Sequence, residues 1–201
     1  GMPRLHVLDN VDPRTIAALL ATLALPRTLF VVTSKSGSTA ETMAQFLVVV
    51  GRLRDAGLAL GDHVVFVTDP ARGALRALSR AEGIPALDVP ANVGGRFSVL
   101  TPVGLLPAAL AGMDVAGLLE GAGDMRTRCA PADLARNPAG VFAVLQWLAD
   151  TQLGKGTHVF MPYADALRDM AAWFVQLWAE SLGKLGPAGT GIGPTPLAAL
   201  G

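Results

Sequence analysis

Four hydroxyls, a lysine and a glycine occupy six consecutive positions, Ser34-Lys35-Ser36-Gly37-Ser38-Thr39. An apolar run, Leu29-Phe30-Val31-Val32, precedes them, and a stretch with helical periodicity follows from about Ala40. Each hydroxyl can donate one hydrogen bond to a phosphate oxygen. The free N–H groups at the start of a helix, and the positive end of its dipole, favour an anion at the same place. Lys35 either adds a full positive charge there or points away and leaves the anion to dipoles. Gly37 admits a left-handed backbone. The pattern is not a nucleotide P-loop, because GxxxxG-K-[ST] is absent. The same residues also serve as a plain helix start, with Ser38 or Thr39 as N-cap and Glu41 or Thr42 near the third position. The two readings are compatible, since a cap uses some of the same donors.

Two further groupings could do chemistry. In Gly94-Gly95-Arg96 the glycines permit close backbone approach, and the arginine presents a fixed fork of donors to a phosphate or a developing oxyanion. On sequence alone it reads more readily as a glycine-rich turn with a surface arginine. Gln176 and Glu180 are four apart and so share a helix face. Glu180 is either a solvated carboxylate or a base held by its neighbours. Charge pattern alone favours the first reading, while the cost of up to ~1 kcal/mol for an acidic group near a helix C-terminus weighs toward the second. His6, His63 and His158 show no metal-ligand spacing and read as structural. Cys129 is the single cysteine, without a nucleophile motif, so no intrachain disulfide forms.

The elements that must position these residues follow from hydropathy. Half the chain is hydrophobic (51%), enough for a sizeable core, and 16 basic residues balance 16 acidic ones. No basic excess exists for nucleic acid or an anionic membrane, so any anion site is local. The longest apolar stretch, Val99 to Met113, is too short for a membrane span and contains Pro102 and Pro107. The N-terminus has no signal-peptide pattern, and the expected location is cytoplasmic.

Strands are predicted at Leu5–Leu8, Leu29–Val32, His63–Thr68, Ile84–Val89 and Thr157–Met161. Helices are predicted after Asp12-Pro13, from Ala40 to about Ala56, around Leu75 and Leu78, over 101–111, 114–125 and 138–153, and from about Asp165 to Leu182. Residues 126–137 read as a polar connection. Val141, Val144, Leu145 and Leu148 are expected to face inward, as are Leu167, Met170, Phe174, Leu177 and Trp178. The Gly- and Pro-rich tail after Gly183 reads as irregular. Alternating β and α elements with near-continuous apolar strands predict a parallel sheet covered on both faces.

Three segments then point to a family. Ser34 to Thr42, VGGRFSVLTPVGLLP at Val93 to Pro107, and QLWAESLGK at Gln176 to Lys184 occur in the order of the bacterial-type glucose-6-phosphate isomerases, and the chain resembles that family from about His6 to Gly201. The resemblance implies an α/β fold of two sugar-isomerase (SIS) domains, each a three-layer, flavodoxin-like parallel sheet flanked by helices. Residues 3–113 correspond to a first SIS domain without its first strand. Residues 114–201 correspond to a helical connection and the start of a second. The implied reaction interconverts glucose 6-phosphate and fructose 6-phosphate through a cis-enediol, in glycolysis and gluconeogenesis, with no metal or other cofactor. The implied partner is a small-molecule sugar phosphate.

Carried over by residue, Ser34, Ser36 and Thr39 resemble the phosphate cradle, with Lys35 and Ser38 in the same loop. Arg96, beside Gly95, resembles the arginine that steadies the enediolate. Glu180 resembles the base, and Gln176 the substrate-side glutamine. The family's Gly-Gly-Ser-Ser loop is expected upstream of Leu5, and its ring-opening histidine and late lysine beyond Gly201. The chain thus corresponds to the middle of an isomerase, and weak or no turnover is expected of it alone. An incomplete sheet exposes an edge and apolar faces, so a homodimer or larger assembly is expected. The competing reading is a non-catalytic SIS module that binds a sugar phosphate and has no use for Glu180.

Overall fold

The computed structural model describes residues 2–187, 189 and 191–199. The chain divides into two compact units, Gly1–Ala116 and Gly117–Gly201.

In the first unit, the Asp12 carboxylate accepts the Thr15 amide and Pro13 occupies the first turn, which starts α1 (Pro13–Thr22) with Ile16 and Leu20 buried. There follow β1 (Phe30–Thr33), α2 (Ala40–Asp55), the single-turn α3 (Leu60–His63), β2 (Val64–Thr68), α4 (Ala74–Glu82), β3 (Ala86–Asp88) and α5 (Pro102–Leu110). The sheet runs β1-β2-β3 with all strands parallel, Phe30 opposite Val64 and Phe66 opposite Ala86.

Phe30, Val32, Val64, Phe66 and Ala86 alternate along the strands and share one core with Phe46, Val49, Val50 and Leu53 of α2 and Leu75 and Leu78 of α4. Phe46 meets Phe66 edge-on at 5.3 Å. Phe66, Leu53 and Leu75 are fully buried, each contributing about 1.5–3 kcal/mol of apolar transfer. The opposite face is covered unevenly: Val67 is buried, while its neighbour in register, Leu87, is 39% exposed.

Leu5–Leu8 is not a strand. It joins no ladder, and Val7 is 75% exposed. A four-residue extended run without a neighbour has no hydrogen bonds to hold it as sheet.

In the second unit, α6 (Val115–Arg128) runs three residues further than expected, into the predicted connection. Next come α7 (Pro138–Leu153), β4 (Thr157–Phe160), α8 (Arg168–Leu182), β5 (Lys184–Leu185), β6 (Gly191–Ile192) and β7 (Thr195–Ala198). The tail is therefore not irregular: β7 pairs parallel with β4, and β5 pairs antiparallel with β6. Asn137 starts α7 with its Oδ1 accepting the Gly140 backbone amide, and its side-chain Nδ2 donates to the Cys129 and Pro131 carbonyls.

Phe142, His158, Phe160, Phe174 and Trp178 form an aromatic cluster in this unit around the buried Phe174, with Phe142 at its exposed edge and His158 edge-on to Trp178 at 4.5 Å and to Phe174 at 4.8 Å. The inward positions expected on α7 are not buried. Val141, Val144, Leu145 and Leu148 are all exposed, as are Leu167 and Met170 at the start of α8. Periodicity marks an apolar face but not what covers it, and α7 is apolar nearly all round. Among the described residues, no helix is long and apolar enough to cross a membrane.

Candidate functional site: a hydroxyl turn between β1 and α2

The chain leaves β1 and enters the hydroxyl turn at the C-terminal end of the sheet, the end where open parallel sheets take their ligands. Three supports fix the turn. The Ser34 amide donates to Val67 O, continuing the β1–β2 ladder (3.0 Å). The Asp69 amide donates to Lys35 O (3.3 Å). The third is contact with the start of α4: Gly73, its N-cap at φ +91°, lies so close that an added Cβ would stand 2.3 Å from Ser36 O. Gly37, at φ +65°, faces the Ala74 and Leu75 amides at the same junction. Both glycines are required by backbone conformation and by closeness.

Within the turn the hydroxyls bond to one another. Ser34 Oγ is buried and lies 2.9 Å from Thr39 Oγ1 and 3.5 Å from Ser36 Oγ. The Gly37 amide donates to Ser34 Oγ, and the Ser38 amide and hydroxyl both donate to Ser36 Oγ. Thr39 is the N-cap residue of α2, but its side chain makes no cap hydrogen bond. The plain-cap reading is therefore incorrect for the side chain: Thr39 turns towards Ser34 instead of towards the helix amides. The first N–H groups of a sixteen-residue helix thus adjoin a cluster of four hydroxyls, an arrangement of donors suited to a tetrahedral oxyanion.

Lys35 resolves the alternative that its sequence left open. Its Nζ donates to Ala91 O (2.9 Å) and Val93 O (2.5 Å), just ahead of Gly94-Gly95-Arg96. Arg96 itself sits, half-buried, in a 3-10 turn, Gly95–Leu100. That turn is braced by Ser98 Oγ donating to Gly95 O (2.6 Å) and Thr101 Oγ1 donating to Ser98 O (2.6 Å). The space beside the two glycines is open to other groups: a Cβ on Gly95 would meet nothing within 4 Å, and one on Gly94 only the Phe97 ring.

Lys35 and Ser36 line an open depression of about 430 Å³ together with Asp69 and Arg72. The Ala71 and Arg72 amides, then the charges of Arg72 and Lys35, hold the Asp69 carboxyl below the usual carboxylate range. Asp69, Arg72 and Gly73 were not singled out from sequence. The available signal was a glycine directly before a helical run, which calls for a positive φ at the N-cap.

In the second unit, Gln176 and Glu180 lie one turn apart on α8, both exposed, and Gln176 Nε2 donates to Glu180 Oε1 at 3.0 Å. This bond offsets the poor placement of a carboxylate near a helix C-terminus and fixes one of its oxygens. The structure thus joins the hydroxyl turn to the Ala91–Val93 segment within the first unit, and Gln176 to Glu180 within the second.

The family model described as phosphoglucose isomerase matches residues 1–190. A glucose-6-phosphate isomerase of Carboxydothermus hydrogenoformans is 47% identical across all of this chain, and one of Rubrobacter xylanophilus is 49% identical. The chain spans 44% and 46% of their lengths, respectively, so under half of each. Among solved structures, a hypothetical protein from Thermus thermophilus superposes with a TM-score of 0.91 at 44% identity, covering 98% of this chain and 47% of that one. A glucose-6-phosphate isomerase of Chlamydia trachomatis gives 0.84 at 26%, covering 96% and 38%. On the family match, which covers nearly the whole sequence, the chain belongs to the phosphoglucose isomerase family.

Proposed function

We propose that this chain supplies the phosphate-binding turn, the enediolate arginine and the proton-transferring carboxylate of an isomerase interconverting glucose 6-phosphate and fructose 6-phosphate, within SIS-type domains. The observation that carries this reading is the hydroxyl cluster at the start of α2, with Thr39 turned away from the helix amides. Ser34, Ser36, Ser38 and Thr39 then re-aim their hydroxyls to the phosphate, whose binding anchors the sugar.

Glu180 removes the proton from C2 of the open-chain aldose. The released electron pair forms the C1–C2 double bond, and the C1 carbonyl oxygen takes the negative charge. Arg96 is the cation assigned to that charge. A proton passes from O2 to O1, and Glu180 returns its proton to C1, leaving the carbonyl at C2. Gln176 donates to Oε1 of Glu180 and so holds the carboxylate that transfers the proton. Gly95, ahead of Arg96 with open space where a Cβ would stand, leaves room beside the sugar.

The relatives are more than twice as long, so this chain accounts for a share of the active site. We place the protein in the cytoplasm and as a homodimer. The apolar side chains exposed on α7, such as Trp147 at 61% and Leu145 at 58%, support association, and light scattering at micromolar concentration should show it. Titration of the chain with glucose 6-phosphate, beside a Ser34→Ala variant, tests the turn: wild type should bind, and the variant should bind at least tenfold more weakly. Equal affinity would remove the turn from the site. Binding without any proton exchange at C2 in the full-length protein would favour a non-catalytic module.

A further inference from the structure

Lys35 lies inside the hydroxyl turn, yet its ammonium is directed out of it. Two of its three donors go to backbone carbonyls 56 and 58 residues further along, Ala91 O and Val93 O. Its own carbonyl accepts the Asp69 amide, which fixes residue 35 to the end of β2 as well. The segment it grips is a turn in its own right, closed by the Val93 amide on Pro90 O (3.0 Å), and the 3-10 turn bearing Arg96 starts two residues beyond Val93. Neither Gly94 nor Gly95 meets backbone from elsewhere in the chain within 4 Å of a Cβ position. The lysine is thus a fixed strut from the anion turn to the backbone that leads into Arg96.

We propose that Lys35 is a positioning residue. It holds Ala91–Val93 against the hydroxyl turn and thereby sets where Arg96 stands relative to a bound phosphate, and it does not ligate the phosphate itself. This rests on the reading of the turn as a phosphate site and deepens it. A charge-assisted bond to a carbonyl needs only the donor and its reach, so arginine at 35 should substitute while an apolar chain of similar length should not.

The test uses amide hydrogen exchange and titration with inorganic phosphate on the whole chain, comparing wild type, Lys35→Met and Lys35→Arg. In Lys35→Met, exchange at residues 91–98 should rise at least tenfold while α4 stays protected, and phosphate affinity should stay within threefold of wild type. Lys35→Arg should return exchange at 91–98 to within threefold of wild type. Unchanged exchange at 91–98 in Lys35→Met, failure of arginine to restore protection, or a tenfold loss of phosphate affinity each overturns the assignment. Should wild type bind no phosphate, the functional reading of the turn fails, while the exchange data still decide whether Lys35 is the strut.

Discussion

Replacing Gly73 by alanine probes the support beneath the hydroxyl turn. At φ +91°, ψ 161°, Gly73 occupies a region almost closed to other residues, at a cost of about 1–3 kcal/mol. The new Cβ would stand 2.3 Å from Ser36 O, 3.1 Å from Ser36 C and 3.3 Å from Gly37 Cα. All three are backbone atoms, so no side chain can swing aside. Restoring ordinary contact needs a shift of about 1 Å, and overpacking of this kind costs a further ~1–3 kcal/mol. The sum is about 2–6 kcal/mol, accompanied by displacement of Ser36 and its neighbours.

Gly83→Ala is the matched control. It too has a positive φ (+66°), but nothing lies within 4 Å of its Cβ position, so only the backbone cost of about 1–2 kcal/mol applies. All three tryptophans, Trp147, Trp173 and Trp178, belong to the second unit, so unfolding of the first is followed by circular dichroism. Gly73→Ala should lower the urea midpoint more than Gly83→Ala and weaken phosphate binding at least tenfold, while Gly83→Ala leaves binding unchanged. Equal effects of the two variants on both readouts would refute the claim that the start of α4 sets the shape of the turn.

Other consequences are more local. Asn137→Ala removes a cap and two carbonyl contacts at the start of α7 and should destabilise the second unit by about 1–2 kcal/mol in urea unfolding followed by tryptophan fluorescence. Burial among aromatic rings pushes the His158 imidazole below its usual value, so the fold favours the neutral ring. The stability this contributes is complete above the unfolded value near 6.5 and is lost as pH falls through the lower folded value. The urea midpoint of the second unit should therefore drop between pH 7 and pH 5 in wild type, and less so in His158→Phe. A midpoint that rises on acidification would contradict this.

Local signals carried much of the architecture. Asp12-Pro13 marks the start of α1 because a capping carboxylate and a proline at the first position act within one turn. The apolar run before Ser34 and the helical spacing of Met43, Phe46, Leu47 and Val50 after it place the hydroxyl turn at a strand-to-helix junction, where it lies. What was hidden depends on distant partners. Thr39 stands at the N-cap position expected of it, but its hydroxyl bonds Ser34 instead of the helix amides, a choice set by how the turn closes. The target of Lys35 is more than fifty residues away. Strand β7, Thr195-Pro196-Leu197-Ala198, is too short and proline-bearing to show a strand pattern, and it forms through pairing with β4. Leu5–Leu8 has the strand pattern and lacks the neighbour. The roles proposed for Arg96, Gln176 and Glu180 rest on motif resemblance, because an exposed glutamate and an arginine in a glycine-rich turn carry no distinguishing local signal.

The proposed function depends most on Glu180 moving a proton between C2 and C1 of a bound sugar phosphate. Incorporation of solvent deuterium at C2 of glucose 6-phosphate, measured by proton NMR with full-length protein carrying this sequence, reads that step without requiring net turnover. Glu180→Gln keeps the side-chain shape and should cut exchange at least a thousandfold while sugar-phosphate affinity stays within threefold. Exchange persisting near the wild-type rate in that variant would contradict the account.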